Sequence, residues 1–226
     1  MTDGLRLDLH VHSTYSPDSR LGLDEIASRL PYVGLRGFAI TDHNSVEGHR
    51  EIPALRARYP GLLIVPGVEV STREGHLLAY GVSECPPPHR SIVETVEWVR
   101  AHGGEAVPAH PFRLAHGIGR RVAASLAVPA LEVRNGHNSE LQNLKSELLA
   151  AQRSLGATGG SDGHELRDLG RAYTEVAEDV RTVDDLLNRL RHGRTFAGGH
   201  SLPWSGRIRL SVRTGLLRLG RGFRPI

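Results

Sequence analysis

The chain has 226 residues, enough for one substantial α/β domain with a real core. Its 39% hydrophobic and 23% charged content is ordinary for a globular protein, and no apolar run approaches the ~18 residues of a membrane span. The formal charge is +3, but the excess sits late. After Asp185 there is no acid, whereas Arg189, Arg191, Arg194, Arg207, Arg209, Arg213, Arg218, Arg221 and Arg224 follow, so the rest of the chain is net acidic and offers no broad basic face for nucleic acid.

Cys85 is the single cysteine, which excludes an intrachain disulfide and a thiolate metal cluster. Beside Pro86-Pro87-Pro88 it reads as a spectator thiol. Lys145, the single lysine, falls in a polar helical stretch, a poor setting for Schiff-base chemistry. The opening Met1-Thr2-Asp3-Gly4 has neither the basic segment nor the apolar core of a secretory signal, so a cytoplasmic protein is expected.

In chain order, residues 5–12 read as a strand with Leu5, Leu7, Leu9 and Val11 alternating. Residues 23–33 place Leu23, Ile26, Ala27, Leu30 and Val33 at helical spacing. A short apolar strand follows at 37–41, then a helix near 46–59 with Ser45 as its cap. Strands are expected at 62–70 and 76–81, a helix at 91–102 and a strand at 105–110. Short strands at 130–133 and 157–160 flank a helix from about 139 to 155, and a strand at 173–176 and a helix at 183–192 follow. This alternation implies an α/β fold with a parallel sheet or barrel. Residues 1–200 read as one domain. Residues 201–226 form an Arg- and Gly-rich tail, where the alternation of Ile208, Leu210 and Val212 fits one added strand.

The chemistry lies where these strands end. In a parallel α/β barrel the C-terminal strand ends converge on one face. Here they carry His10-Val11-His12, Thr41-Asp42-His43, Gly67-Val68-Glu69, Ala109-His110-Pro111 and Gly160-Ser161-Asp162-Gly163-His164, and another strand opens on His76. Side chains two apart on a strand face the same way, so His10 and His12 can hold one ion, and Asp162 and His164 repeat the spacing. Imidazole with carboxylate suits zinc, manganese or iron, and without thiolates a structural zinc knuckle is excluded. Six more of the thirteen histidines, His49, His89, His102, His116, His192 and His200, read as surface or hydrogen-bonded core residues. So many ionisable groups at successive strand ends would be self-destabilising without a metal.

Asp8-Leu9-His10-Val11-His12-Ser13 followed by Ser16-Pro17-Asp18-Ser19 resembles the opening of the polymerase and histidinol phosphatase (PHP) family. So do, in order, the Gly37–Asn44 stretch ending Thr41-Asp42-His43-Asn44, Gly67-Val68-Glu69, Gly75-His76-Leu77-Leu78-Ala79-Tyr80-Gly81, Ala109-His110-Pro111 and Gly160-Ser161-Asp162-Gly163-His164. The resemblance implies an irregular seven-stranded (β/α) barrel holding two or three divalent ions. It implies His10, His12, Glu69 and Asp162 on the first ion, with Glu69 bridging to a second ion held also by His76 and His110. Asp18, His43 and His164 would hold a third. Asp42 should point away from His43 and support the site by hydrogen bonding.

The expected activity is metal-dependent hydrolysis of a phosphomonoester on a nucleotide or phosphorylated metabolite, with a hydroxide bridging the first two ions as nucleophile. Three divalent ions against three carboxylates would leave the site about +3, a natural seat for phosphate. Arg113 and Arg120, with Arg121 beside it, are candidates to orient the phosphoryl group, against the alternative of solvated surface charge. His137, in Asn135-Gly136-His137-Asn138, is a candidate general acid or simply a loop histidine. The short interval between His110 and Asp162 leaves little room for a substrate lid. Three other readings stay open: an exonuclease on short single-stranded nucleic acid, an amidohydrolase-like enzyme and a non-catalytic metal-binding module. The expected partner is a small phosphorylated molecule; nucleic acid is not favoured, and no membrane is expected.

Overall fold

The first strand, β1 (Leu5–Val11), lies inside a seven-stranded sheet; the computed structural model describes residues 4–201. On one side β1 pairs in parallel with β2 (Gly37–Ile40), and β2 in parallel with β3 (Leu63–Ser71). From there the direction alternates: β4 (His76–Tyr80) runs antiparallel to β3, and β5 (Glu105–Pro108) antiparallel to β4. On its other side β1 pairs antiparallel with β8 (Ala172–Val176), which pairs antiparallel with β9 (Phe196–Gly199). A separate parallel pair, β6 (Ala130–Asn135) and β7 (Gly156–Gly160), completes the strands among the described residues.

The fold is thus mixed α/β, with a curled seven-stranded sheet forming a half-barrel. It differs from the parallel expectation for a physical reason: residues 72–75 between β3 and β4 are far too few for a parallel crossover, which takes a dozen or more. The β6–β7 pair docks on the sheet near β1, where the Asp162 N–H donates to His10 O at 2.8 Å and Val11 bridges in parallel to Gly163.

The helices are α1 (Leu23–Arg29), α2 (Ile52–Arg58), α3 (Ile92–Ala101), α4 (Gly119–Ser125), α5 (Glu140–Gln152) and α6 (Val183–Arg191). Ser91, Ser139 and Thr182 open α3, α5 and α6 as reciprocal caps with Glu94, Gln142 and Asp185. The helix expected at 46–59 is instead a 3-10 turn over Glu47–Glu51 followed by α2; Pro53, in the first turn of α2, supplies no N–H to an uninterrupted ladder. Ser45 Oγ accepts the Glu47 N–H, at the 3-10 turn rather than at the start of α2. α4 and β9 were not expected. Of the segment 201–226 only Ser201 is described, so the expected strand there lies outside the described residues. Among the described residues no helix is long and apolar enough to cross a membrane.

Candidate metal centre

Period two puts Asp8 and His10 on one face of β1, His12 follows its last residue, and all three are fully buried. Backbone bonds hold the neighbouring strand ends level with them. Thr41 N donates to Val11 O (3.0 Å), His12 N to Gly163 O (3.0 Å) and Glu69 N to Asp42 O (3.2 Å). The result gathers His10, His12, Asp18, His43, Glu69, His76, His110, Asp162 and His164 into adjoining groups whose ligand atoms lie within 4.8 Å of one another.

The group around His10 and His12 has the dimensions of a coordination shell. His10 Nε2 is 3.4 Å from Glu69 Oε2 and 3.6 Å from Asp162 Oδ1; His12 Nε2 is 3.3 Å from each. Ligands at ~2.0–2.2 Å in tetrahedral array stand roughly 3.3–3.6 Å apart. Both Nε2 atoms are buried with no hydrogen-bond partner, a costly state that a bound cation relieves. The residues therefore fit a divalent ion.

Glu69 lies at the centre. Its Oε1 is 2.9 Å from His76 Nδ1 and 3.0 Å from His110 Nε2, while Oε2 faces His10, His12 and, at 3.0 Å, His43 Nδ1. One carboxylate is thereby shared between two groups of imidazoles. Asp18 Oδ2 lies 3.4 Å from His43 Nε2 and 3.1 Å from His164 Nε2, a further group. Burial opposes ionisation of Glu69, yet His76, His10 and His43 hold its carboxyl well below the usual range. Asp162 is held down in the same way, against burial, by His10 and Arg113. Burial opposes protonation of His43, but Glu69 and Asp18 raise it to about 10. Burial and then Arg113 press His110 down to about 3, leaving it a neutral imidazole, the form that binds metal.

The other sequence candidates separate. Arg113 reaches the cluster: its Nη2 donates to Asp162 Oδ2 (2.7 Å) and Asn135 Oδ1 (2.6 Å), and its Nε to Asn138 Oδ1 (3.0 Å). His137 lies beside it, with Nδ1 3.9 Å from Asp162 Oδ2 and Nε2 3.5 Å from Asp168 Oδ2. Arg120 is not brought in. It is exposed on α4, which buries Ala123 instead, and among the described residues no hydrogen bond or ion pair joins it to the cluster. Asp42 turns to Ser13, accepting from its N–H (2.6 Å) and hydroxyl (2.7 Å). His116 is exposed, as expected, yet its ring stacks on His76 at 4.5 Å.

Sequence reading missed three buried carboxylates. Glu132 meets His10, Asp8 accepts the Ser161 N–H at 2.8 Å, and Asp168 faces His137. Asp8 shares the alternation of His10 and His12, and Glu132 is a lone charge in the apolar run Ala130-Leu131-Glu132-Val133, so both carried a readable signal. Burial pushes the Asp8 carboxyl up to about 6 despite its bonds to Ser161.

Comparison with known proteins gives the ancestry. The PHP domain family matches residues 8–154, and the PHP-associated family matches residues 140–195. The chain belongs to the PHP domain family. A Methanocaldococcus jannaschii protein described as uncharacterized is 30% identical over 147 residues, 60% of this chain and 85% of that protein. Among solved structures, a two-domain Bacteroides vulgatus protein containing a predicted PHP-like metal-dependent phosphoesterase superposes with TM-score 0.68 at 18% identity. The match covers 87% of this chain and 65% of that one. A lesion-specific endonuclease from Pyrococcus furiosus gives TM-score 0.61 at 20% identity, over 85% of this chain and 57% of that one. At such identities the likeness shows the fold alone. In this PHP domain the nine clustered side chains stand together at one mouth of the half-barrel.

Proposed function

We propose that this PHP domain hydrolyses a phosphomonoester on a small phosphorylated molecule, a nucleotide or metabolite. The observation that carries the reading is Arg113, whose guanidinium meets the cluster at Asp162 while its side chain stays 24% exposed, against 4% for Asp162. A phosphoryl group at the cluster would lie within reach of an arginine already oriented by Asn135 and Asn138. His10, His12, Glu69 and Asp162 would hold a first ion, His76 and His110 with Glu69 a second, and Asp18, His43 and His164 a third. Divalent ions held there supply Lewis acidity and lower the pKa of water towards ~7. Arg113 orients the phosphoryl oxygens, and its charge opposes the negative charge that builds on them. His137 Nδ1, facing Asp162 from the edge of the site, is the proton donor to the leaving oxygen. The walls of the half-barrel exclude bulk water from the buried carboxylates.

The test is metal analysis of the purified protein, then a manganese-supplemented screen of nucleotides and sugar phosphates beside single-stranded RNA and DNA. Phosphate release from small monoesters, abolished in Glu69→Gln, is the expected result. Strongly salt-dependent cleavage of oligonucleotides without monoester hydrolysis would favour the nuclease reading instead. A folded protein that binds no divalent ion and gains nothing from manganese would overturn the proposal.

A further inference from the structure

One buried carboxylate outside the nine clustered residues joins two of them across the junction of the two sheets. Glu132, on β6, is 1% exposed. Its Oε1 is 2.9 Å from His10 Nδ1 on β1, and its Oε2 accepts the His110 N–H at 2.6 Å and the Asn135 Nδ2–H at 3.1 Å. The His110 and Asn135 N–H groups are donors by their chemistry and both meet Oε2, which therefore accepts, while Oε1 is turned to His10 Nδ1.

We propose that Glu132 is the positioning residue of the metal centre, fixing His10 in its Nδ1–H tautomer and clamping the backbone of His110. With Nε2 turned to Glu69 and Asp162, where the ion would bind, the proton of the neutral ligating His10 ring belongs on Nδ1, 2.9 Å from Glu132 Oε1. The lone pair then sits on Nε2, the buried, unpartnered atom that faces Glu69 and Asp162. The same carboxylate secures His110 where its backbone is strained, at φ 30, a conformation that needs outside support. Both oxygens are occupied by N–H donors, so Glu132 is not itself a ligand; it acts through His10 and His110. A carboxylate on the far nitrogen also makes the imidazole a stronger donor to a cation. β6 belongs to the small pair and β1 to the large sheet, and His110 follows β5 by two residues, so this one side chain ties the two sheets together at the ligands.

The inference rests on the metal-centre reading above, and its test separates the two. Zinc and manganese affinities of the wild-type chain and Glu132→Gln are measured by competition with a chromogenic chelator, with circular dichroism of both metal-free proteins as the folding control. Glutamine keeps the size of the side chain but sets an amide donor against an N–H. The expected loss is about 10- to 100-fold in affinity, the range for removing such a partner of a ligating histidine. A second measurement needs no variant: nitrogen-15 spectra of histidine-labelled, zinc-loaded wild type should show His10 protonated at Nδ1 and ligating through Nε2. Unchanged affinity in folded Glu132→Gln, or a His10 that ligates through Nδ1, overturns the role of Glu132 alone. Failure of the wild-type chain to bind either ion overturns the metal centre with it.

Discussion

Gly160→Ala tests the approach of the two sheets on which the site depends. A Cβ at Gly160 would lie 2.3 Å from His10 Cβ and 2.6 Å from His10 N. Carbon atoms settle at about 3.5–4.0 Å, so β7 and β1 would have to part by about 1.2 Å or more. Overpacking of this kind costs about 1–3 kcal/mol. At this chain length that is a fall in Tm of roughly 2–12 °C. The functional effect should be larger than the stability effect suggests. Asp162 follows Gly160 by two residues, and its Oδ1 stands 3.6 and 3.3 Å from the His10 and His12 Nε2 atoms. Widening those edges by an ångström takes the carboxylate out of a shell whose edges are about 3.3–3.6 Å. Differential scanning calorimetry in chelator gives the structural cost, and manganese titration gives the loss of affinity, expected to exceed about tenfold. Gly61→Ala is the control: a Cβ there meets nothing within 4 Å, and both readings should stay at wild type. A Gly160→Ala protein with unchanged Tm and unchanged metal affinity would refute the close approach and the geometry derived from it.

Arg113→Lys keeps the charge but loses the planar fork that meets Asn135, Asn138 and Asp162, and kcat/KM should fall about ten- to a hundredfold. Arg120→Ala should stay within about twofold in the same assay; equal losses in the two variants would contradict the placement of these arginines. Chelation should lower Tm, because an ion at 100 times its Kd stabilises the native state by about 2.7 kcal/mol, and re-adding manganese should restore it; calorimetry with and without metal decides. Ser139→Ala removes the hydroxyl that accepts the Gln142 N–H at the start of α5, and chemical denaturation should show a loss of about 1 kcal/mol with metal affinity retained.

Much of the cluster was legible because most of its members stand at strand ends, where alternation fixes their direction. His10 and His12 declare themselves by spacing, and Glu69 stands near the end of an apolar run that is unmistakably a strand. The sense of the strands was less legible, although the four residues between Ser71 and His76 already forbid a parallel crossover. α4 escaped because a glycine opens it and Ala123 is its one buried residue, and β9 because Phe196-Ala197-Gly198-Gly199 has no alternation to detect. Pro53 marked the interruption at α2 in plain view. The sequence order of the polar residues says nothing of their distances. Only the fold distinguishes Arg113, bonded to Asp162, from Arg120, seven residues on and turned to solvent.

The members of the cluster that do not sit in regular strands show how the site is held. His110 and Asp162 have positive φ, 30 and 55, and so does Asn44 at 50, next to His43. Non-glycine residues there cost of order 1–3 kcal/mol each, and they persist only where the surroundings fix them. Each is fixed. The His110 N–H goes to Glu132 and its carbonyl accepts from Arg113 N at 2.9 Å. Asp162 donates to His10 O, and its side chain is gripped by Arg113. The Asn44 N–H donates to Glu69 O at 2.9 Å, and its side-chain oxygen accepts from Ser71 N at 2.8 Å. A strand that simply continued would carry its next side chain onward along its own axis. A turn of the backbone at the strand end brings that side chain back across the mouth of the half-barrel, towards groups presented by β1. His89, His116 and Ser154 take positive φ elsewhere, but at His110, Asp162 and Asn44 the strain falls where separate strands converge on shared groups.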